Sequence, residues 1–462
     1  MSGVRGKGRY ITAAAVLAVM GMTAAVGSTA SQAASASPSA SPTAAAPTPI
    51  PPSAVVLSLP KDMYLHPGAP TEWWWHTGTL KAGNRTFGFE INAASFVDQG
   101  FAFSQISVTD VAKQKHYKRT NVYVPPGNFA PTTWAQSDTS KPWYAKLGDP
   151  ANKFGGVEVT NPGTGYTTPP TVTITGNGTG ASATAQLNAK GGVSQILIAN
   201  AGKGYTTPPK VTITGTGSGA TAVAFPTYVS MTAPAADPTK NMRVKALLAD
   251  DPSMKPVMID LTLSQKGRPF FVWGTGVNPG ATSTSVKENN YYFSLTNLQA
   301  SGSLTIDGKK IPVTGVTWMD HEYGAFGTAA NPVQWILQDM QLDNGFSISN
   351  VGIVGEGQKP TLNTAMVGYA TLEAANGDTY LVGSTVTPFG KTWTSPESGV
   401  TYFTQFRVQI PQFGANIVVT TLMDAQEFPG TSGGSVYEGV AKAKGIFKGK
   451  AVGGTAWIEQ TF

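Results

Sequence analysis

Cysteine is absent from the 462 residues, so the chain can form no disulfide, carry no lipid-bearing cysteine and offer no thiolate to a metal. Charge is scarce too: Asp, Glu, Lys and Arg make up 13% of the chain, about half the usual share. That argues against long, salt-bridged helices. There are four histidines, His66, His76, His116 and His321, and none shows His-x-x-x-His spacing. A zinc site would have to be assembled from distant parts of the chain, and no metal or cofactor is expected. A Gly-x-Ser-x-Gly elbow and a Walker lysine pattern are also missing, which leaves no local signature for a nucleophilic serine or a phosphate cradle. No acid precedes Asp62, whereas Arg5, Lys7 and Arg9 lie at the start. Without those three the net charge of +6 becomes 6 − 3 = +3, too small to suggest a nucleic-acid partner.

The 53 glycines and 33 prolines favour many short strands and turns. Residues 1–36 read as a secretory signal: a basic start, an apolar run from Ile11 to Val26, then small residues from Gly27 to Ala36. The run is shorter than the roughly 20 residues of a membrane span. Arg5 and Arg9 are separated, which favours the general secretory route over a twin-arginine one. The expected destination is secreted or periplasmic, with no stable membrane span in the mature form. Residues 37–54, rich in Ala, Ser and Pro, read as a disordered tether, and folding is expected to begin near Val55.

Beyond that point the dominant pattern is alternation with period two. It is clearest from Val257 to Ser264, where the odd positions are all apolar. Gly83-Asn84, Asp307-Gly308, Asn344-Gly345 and Asn376-Gly377 supply hairpin turns. Outside the signal no stretch has helical periodicity, so the fold class is all-β. One repeat stands out: Gly163 to Pro170 returns as Gly202 to Pro209, a spacing of 202 − 163 = 39 residues, each copy followed by Val-Thr-Ile-Thr-Gly. Two copies are too few for a solenoid, so residues 155–225 read as a small β-rich insertion, either a surface-binding module or an inert extension.

Two clusters can carry chemistry. In Thr71-Glu72-Trp73-Trp74-Trp75-His76-Thr77-Gly78, strand alternation places Glu72, Trp74 and His76 on one face and Trp73 and Trp75 on the other. A three-residue turn after Lys81 would set His76 opposite Glu90, near Asn92, whereas a two-residue turn would not. This is either a polar spot in an aromatic pocket or a Trp-rich strand whose Glu72 caps a neighbouring backbone. In Gly315 to Gly324, Trp318, Asp320 and Glu322 share one side and Met319, His321 and Tyr323 the other. Adjacent acids raise each other's pKa, and burial against an indole raises it further. Such an acid can hold a proton for a weakly basic carbon such as an alkene. The structural alternative is an Asp320 satisfied by backbone N–H groups.

At these two motifs the chain resembles the carotenoid 1,2-hydratase (hydroxyneurosporene synthase) family. That family includes AttH-like secreted lipocalin-like proteins, kievitone hydratases and lipocalin-like Diels-Alderases. Trp393-Thr394-Ser395-Pro396, Tyr437-Glu438-Gly439 and Gly453 to Glu459 extend the resemblance, which runs from Val55 to Phe462 around the insertion. It implies two tandem lipocalin-like β-barrels, spanning 55–325 (with the insertion inside) and 326–462, and an apolar cavity near their junction. It also implies cofactor-free hydration of an isoprenoid-like double bond, with Asp320 as general acid assisted by Glu322 and Trp318. Ligand contacts are expected from Glu72, Trp73, Trp74, Trp75, His76, Glu90, Asn92, Tyr291, Tyr292, His321, Tyr323 and Trp335. The stretch Asn289-Asn290-Tyr291-Tyr292-Phe293 lacks the histidine and tryptophan that family hydratases carry there, which sets this chain apart from carotenoid hydration. A non-catalytic carrier of a hydrophobic ligand, or a surface attachment protein, would use the same fold.

Overall fold

The computed structural model describes residues 46–125, 127–251, 253–326, 334–354, 359–428 and 435–461. The signal and the first half of the tether therefore lie outside the described residues. The end of the tether is placed: Ile50 pairs with Thr379, its N–H donating to the Thr379 carbonyl at 2.8 Å. An apolar residue in a polar segment has found a sheet edge, so order begins slightly before Val55.

Among the described residues there is no α-helix, only strands and five short 3-10 turns. The strands form two large antiparallel sheets. In the first, the order runs Lys115–Tyr123, Phe101–Asp110, Arg85–Phe96, Thr71–Ala82, Lys309–Gly324, Asn290–Ile306, Pro256–Gln265, Met242–Ala249, Tyr228–Ala233 and Trp143–Gly148. Its inner face holds one large apolar core. Val257, Ile259, Leu261 and Leu263 point into that core while Met258 is exposed, as the alternation requires.

The second sheet runs Ala415–Thr421, Gln405–Ile410, Thr379–Pro388, Met366–Glu373, Ser347–Ile353, Trp335–Leu342, Lys450–Thr461 and Val436–Phe447. It closes on itself, because Ala415–Thr421 also pairs with Val436–Phe447. Closure removes free strand edges. Two lipocalin-like barrels thus follow one another along the chain, the first sheet ending at Gly324 and the second starting at Trp335.

All four expected hairpin dipeptides sit in turns. At Asp307 and Gly308 both residues have positive φ, 51° and 71°, the conformation that a two-residue hairpin between right-twisted strands needs. The repeat insertion forms three strand pairs, Gly156–Thr164 with Ser218–Phe225, Thr171–Thr175 with Lys210–Thr214, and Thr179–Leu187 with Val193–Lys203. The repeated tyrosines, Tyr166 and Tyr205, are both buried and anchor two small cores. The first barrel is undisturbed, because Trp143–Gly148 pairs directly with Tyr228–Ala233 across the insertion's two ends.

The barrels pack through the outer face of Arg85–Phe96. A Cβ on Gly88 would lie 2.6 Å from Val440 Cβ, closer than packed carbons approach. Gly88→Val is expected to cost about 1–3 kcal/mol of stability by wedging this contact. Denaturant unfolding measures the loss, and Val440→Ala should restore part of it. A Gly88→Val protein as stable as the parent would contradict this packing.

Candidate functional site

Alternation along two adjacent strands decides what faces the junction between the barrels. Thr71–Ala82 lies beside Lys309–Gly324, with Trp73 opposite Glu322 and Trp75 opposite Asp320. Directly paired antiparallel residues point the same way. Trp73, Trp75, Asp320 and Glu322 therefore all project outward from the first barrel, towards the second. There they line a cavity of about 320 Å³ together with Phe96, Phe103 and Tyr292. The second barrel contributes Trp335, Leu337, Val351, Tyr369, Glu438 and Glu459.

The floor of this cavity is a group of carboxyls held mainly by indoles and small hydroxyls. Asp320 Oδ1 accepts from Ser294 Oγ at 2.5 Å and from Trp318 Nε1 at 2.7 Å. Glu459 Oε2 accepts from Trp335 Nε1 at 3.2 Å, and Glu438 Oε2 from Trp457 Nε1 at 2.7 Å. Glu322 accepts from the Asn290 amide. Asp339 does not itself line the cavity but lies close enough to feel the charges of Asp320 and Glu459. Among the described residues none of these five carboxyls forms an ion pair.

Burial without a neighbouring cation favours the protonated form of a carboxyl. Burial pushes Asp320 up to about 6, against hydrogen bonds from Ser294, Trp318 and Tyr292 that favour its charged form. Burial, reinforced by the nearby Asp320, pushes Glu459 up to about 8. Asp339, Glu322, Glu438 and Glu90 are all raised well above the carboxylate range, burial being the first cause in each. The site combines buried carboxyls with aromatic faces. Such a site can protonate a weak base and stabilise the resulting cation.

The expected residues divide by face. Asp320, Glu322, Trp73, Trp75, Tyr292 and Trp335 line the cavity, and Trp318 holds Asp320 from behind. Glu72, Trp74, His76, Tyr291, His321 and Tyr323 point the other way, into the first barrel, so strand alternation separates them from the residues that line the cavity, and the two groups do not form one pocket as expected. Trp74, Tyr291 and Tyr323 belong to that barrel's core. His76 is fully buried with neither ring nitrogen hydrogen-bonded, and burial lowers it to about 3. The hairpin after Lys81 has a two-residue turn, Ala82 pairing with Arg85, so His76 stands opposite Ile91 and not Glu90. Glu90 and Asn92 share Trp75's outer face without lining the cavity, and Asn92 is occupied by Glu90 and the Gln105 N–H.

Sequence reasoning missed Asp339, Glu438, Glu459, Tyr369 and Trp273. Asp339 carried little signal, since it lies between Gln338 and Met340 on a strand that also holds Gln341. Glu459 repeats, as Trp457-Ile458-Glu459, the Trp-x-acid spacing of Trp318-Met319-Asp320. Trp273 had none: it walls the cavity with φ of +57°, its N–H donating to Thr371 Oγ1 and its Nε1 to Tyr369 Oη. A left-handed tryptophan costs of order 1 kcal/mol or more, and strain of this kind collects at functional sites.

Residues 213–461 match a family described as AttH-like. The fold is similar to that of a protein described as an AttH from Nitrosomonas europaea, with a TM-score of 0.54 and 18% identity over 90% of this chain and 98% of that one. It is also similar to kievitone hydratase from Nectria haematococca, with a TM-score of 0.55 and 15% identity over 88% of this chain and 93% of that one. No curated protein sequence matches the chain.

Proposed function

The chain belongs to the AttH-like family, and from that premise we propose that it is an exported hydratase-type enzyme acting on an apolar, isoprenoid- or lipid-like alkene, with Asp320 as general acid. One observation carries the reading: an aromatic-walled cavity between the barrels is floored by carboxyls that, among the described residues, no cation pairs. A charged or strongly polar substrate would leave those walls unsatisfied. A saturated apolar ligand would give the acids nothing to do. Protonation of the alkene carbon breaks the π bond and leaves a carbocation, which the faces of Tyr292, Trp73 and Trp75 stabilise. Water then forms the C–O bond, and the proton it loses returns to the carboxyl group of residues. The fold shared with kievitone hydratase is consistent with this chemistry. Export rests on the order of basic, apolar and small residues in 1–36.

The cavity's volume of about 320 Å³ is at the small end of the range for small-molecule sites, roughly 300–1,000 Å³. Val351 lines it from the second barrel and is half-buried. Val351→Trp should fill much of the space and weaken binding of an apolar fluorescent probe at least about tenfold, with little change in thermal stability. Native mass spectrometry of the parent protein should reveal a bound apolar molecule that the variant lacks. Equal probe binding by both proteins would show that the cavity is not the ligand site.

A further inference from the structure

Behind Asp320, on the opposite face of the same strands, three metal-type donors converge from distant parts of the chain. His66 follows the 3-10 turn Lys61–Met63, Glu72 is the second residue of Thr71–Ala82, and His321 lies on Lys309–Gly324. One ligand atom from each lies within 4.8 Å of the other two. Glu72 Oε1 is 2.8 Å from His66 Nδ1 and 3.5 Å from His321 Nε2. Donors on a tetrahedral ion with bonds near 2.0–2.1 Å stand about 3.3 Å apart, so the present spacing needs only small adjustment.

The surroundings aim these atoms inward. His321 Nδ1 lies 2.8 Å from the Trp73 carbonyl, a partner that can only accept. The proton is therefore on Nδ1, and Nε2 presents a lone pair. His321 is fully buried, and its Nε2 has no hydrogen-bond partner. His66 Nε2 faces Asp62 Oδ1 at 3.4 Å, and Asp62 is itself held by the Ser58 N–H. Glu72 Oε2 is held by the His66 N–H at 2.9 Å. Stacking fixes both ring planes, Tyr323 on His66 at 3.5 Å and Trp74 on His321 at 4.4 Å. Outer nitrogens held by a carboxylate or a carbonyl, with inner nitrogens turned to a shared carboxylate, form the usual support shell of a bound metal.

An ion pair between His66 and Glu72 accounts for part of this arrangement. It leaves the buried Nε2 of His321 without a partner, which is costly. We propose that His66, Glu72 and His321 together bind a zinc ion, which ties the segment before Thr71 to the strand that carries Asp320. Two imidazoles and one carboxylate suit zinc and disfavour calcium or magnesium, which take oxygen donors. The ion sits on the barrel's inner side, away from the cavity, so its role is structural. His66, 16% exposed, is its route to solvent.

The test uses the full chain without a histidine tag, exposed to zinc and then passed over a chelating resin. The expected result is about one zinc per chain by elemental analysis. Chelator-stripped protein should gain at least about 3 °C in Tm when zinc is restored. His66→Gln and His321→Gln should each lower zinc affinity at least tenfold and abolish the Tm gain. If His321→Gln fails to fold, His66→Gln, at a partly exposed position outside any strand, still decides. Retention of less than about one-tenth of an equivalent by the parent, with no shift in Tm, would overturn the proposal and leave His66 as a cation held between two carboxylates. Equal retention by parent and His66→Gln would overturn it as well, since the zinc would then be bound elsewhere.

Discussion

Asp320→Asn is expected to lower turnover of a trisubstituted alkene about 10²–10⁴-fold, while the affinity for that alkene changes less than about threefold. The side chains are nearly the same shape. The amide oxygen of Asn can still accept from Ser294 Oγ and Trp318 Nε1, so the floor of the cavity keeps its hydrogen bonds. Only the transferable proton is lost. The cavity walls, which supply binding, come from other residues. Steady-state kinetics alongside direct binding separate the two quantities. Unchanged turnover would remove Asp320 from the acid's role. Tight binding with no turnover in either protein would make the molecule a carrier.

Thermal stability should fall as pH rises from 7 to 8.5, and Glu459→Gln should flatten that fall. Glu459 has an ordinary pKa of 4.5 when unfolded and about 8 when folded. Between those values the folded protein holds a proton that the unfolded chain releases, so stability declines with pH and the contribution is lost above about 8. Asp339, Glu438 and Glu90, raised for the same reason, act in the same direction. Each such carboxyl contributes about 1.4 kcal/mol per pH unit while it alone separates the two states. The buried histidines oppose this at lower pH. His76 and His116 are lowered to about 3 and His321 is also lowered, so their contribution rises with pH until the unfolded value of 6.5. Above pH 7 these three are silent. His66, which against the opposing effect of burial is raised by Glu72 and Asp62 to about 9, loses stability in the same direction as the acids, so the difference between the parent and Glu459→Gln is what reads the carboxyl. A Tm that is flat or rising from pH 7 to 8.5 would show that the cavity carboxyls are charged and solvated.

The two halves of the site differed in how far they could be read in advance. On Thr71–Ala82 and Lys309–Gly324, period-two alternation already separated Trp73 and Trp75 from Glu72, Trp74 and His76, and Asp320 and Glu322 from His321 and Tyr323. It did not say which face lined the cavity between the barrels. Treating both faces as one pocket mixed the cavity with the barrel core. The turn at Gly83-Asn84 was legible as a turn, but its length, and hence the partner of His76, was settled only by the pairing of Ala82 with Arg85.

Local chemistry in the chain determined the all-β class, the hairpins, the repeat insertion and the side of each strand on which a residue lies. These depend on neighbours one or two residues away. Only tertiary structure brought Glu438 and Glu459 to the same cavity as Asp320, and His66 and Glu72 to His321. Alternation has a fixed period that one strand's sequence reveals. The meeting of two barrels, and of strands hundreds of residues apart, is set by burial across many surfaces at once, which no single segment encodes.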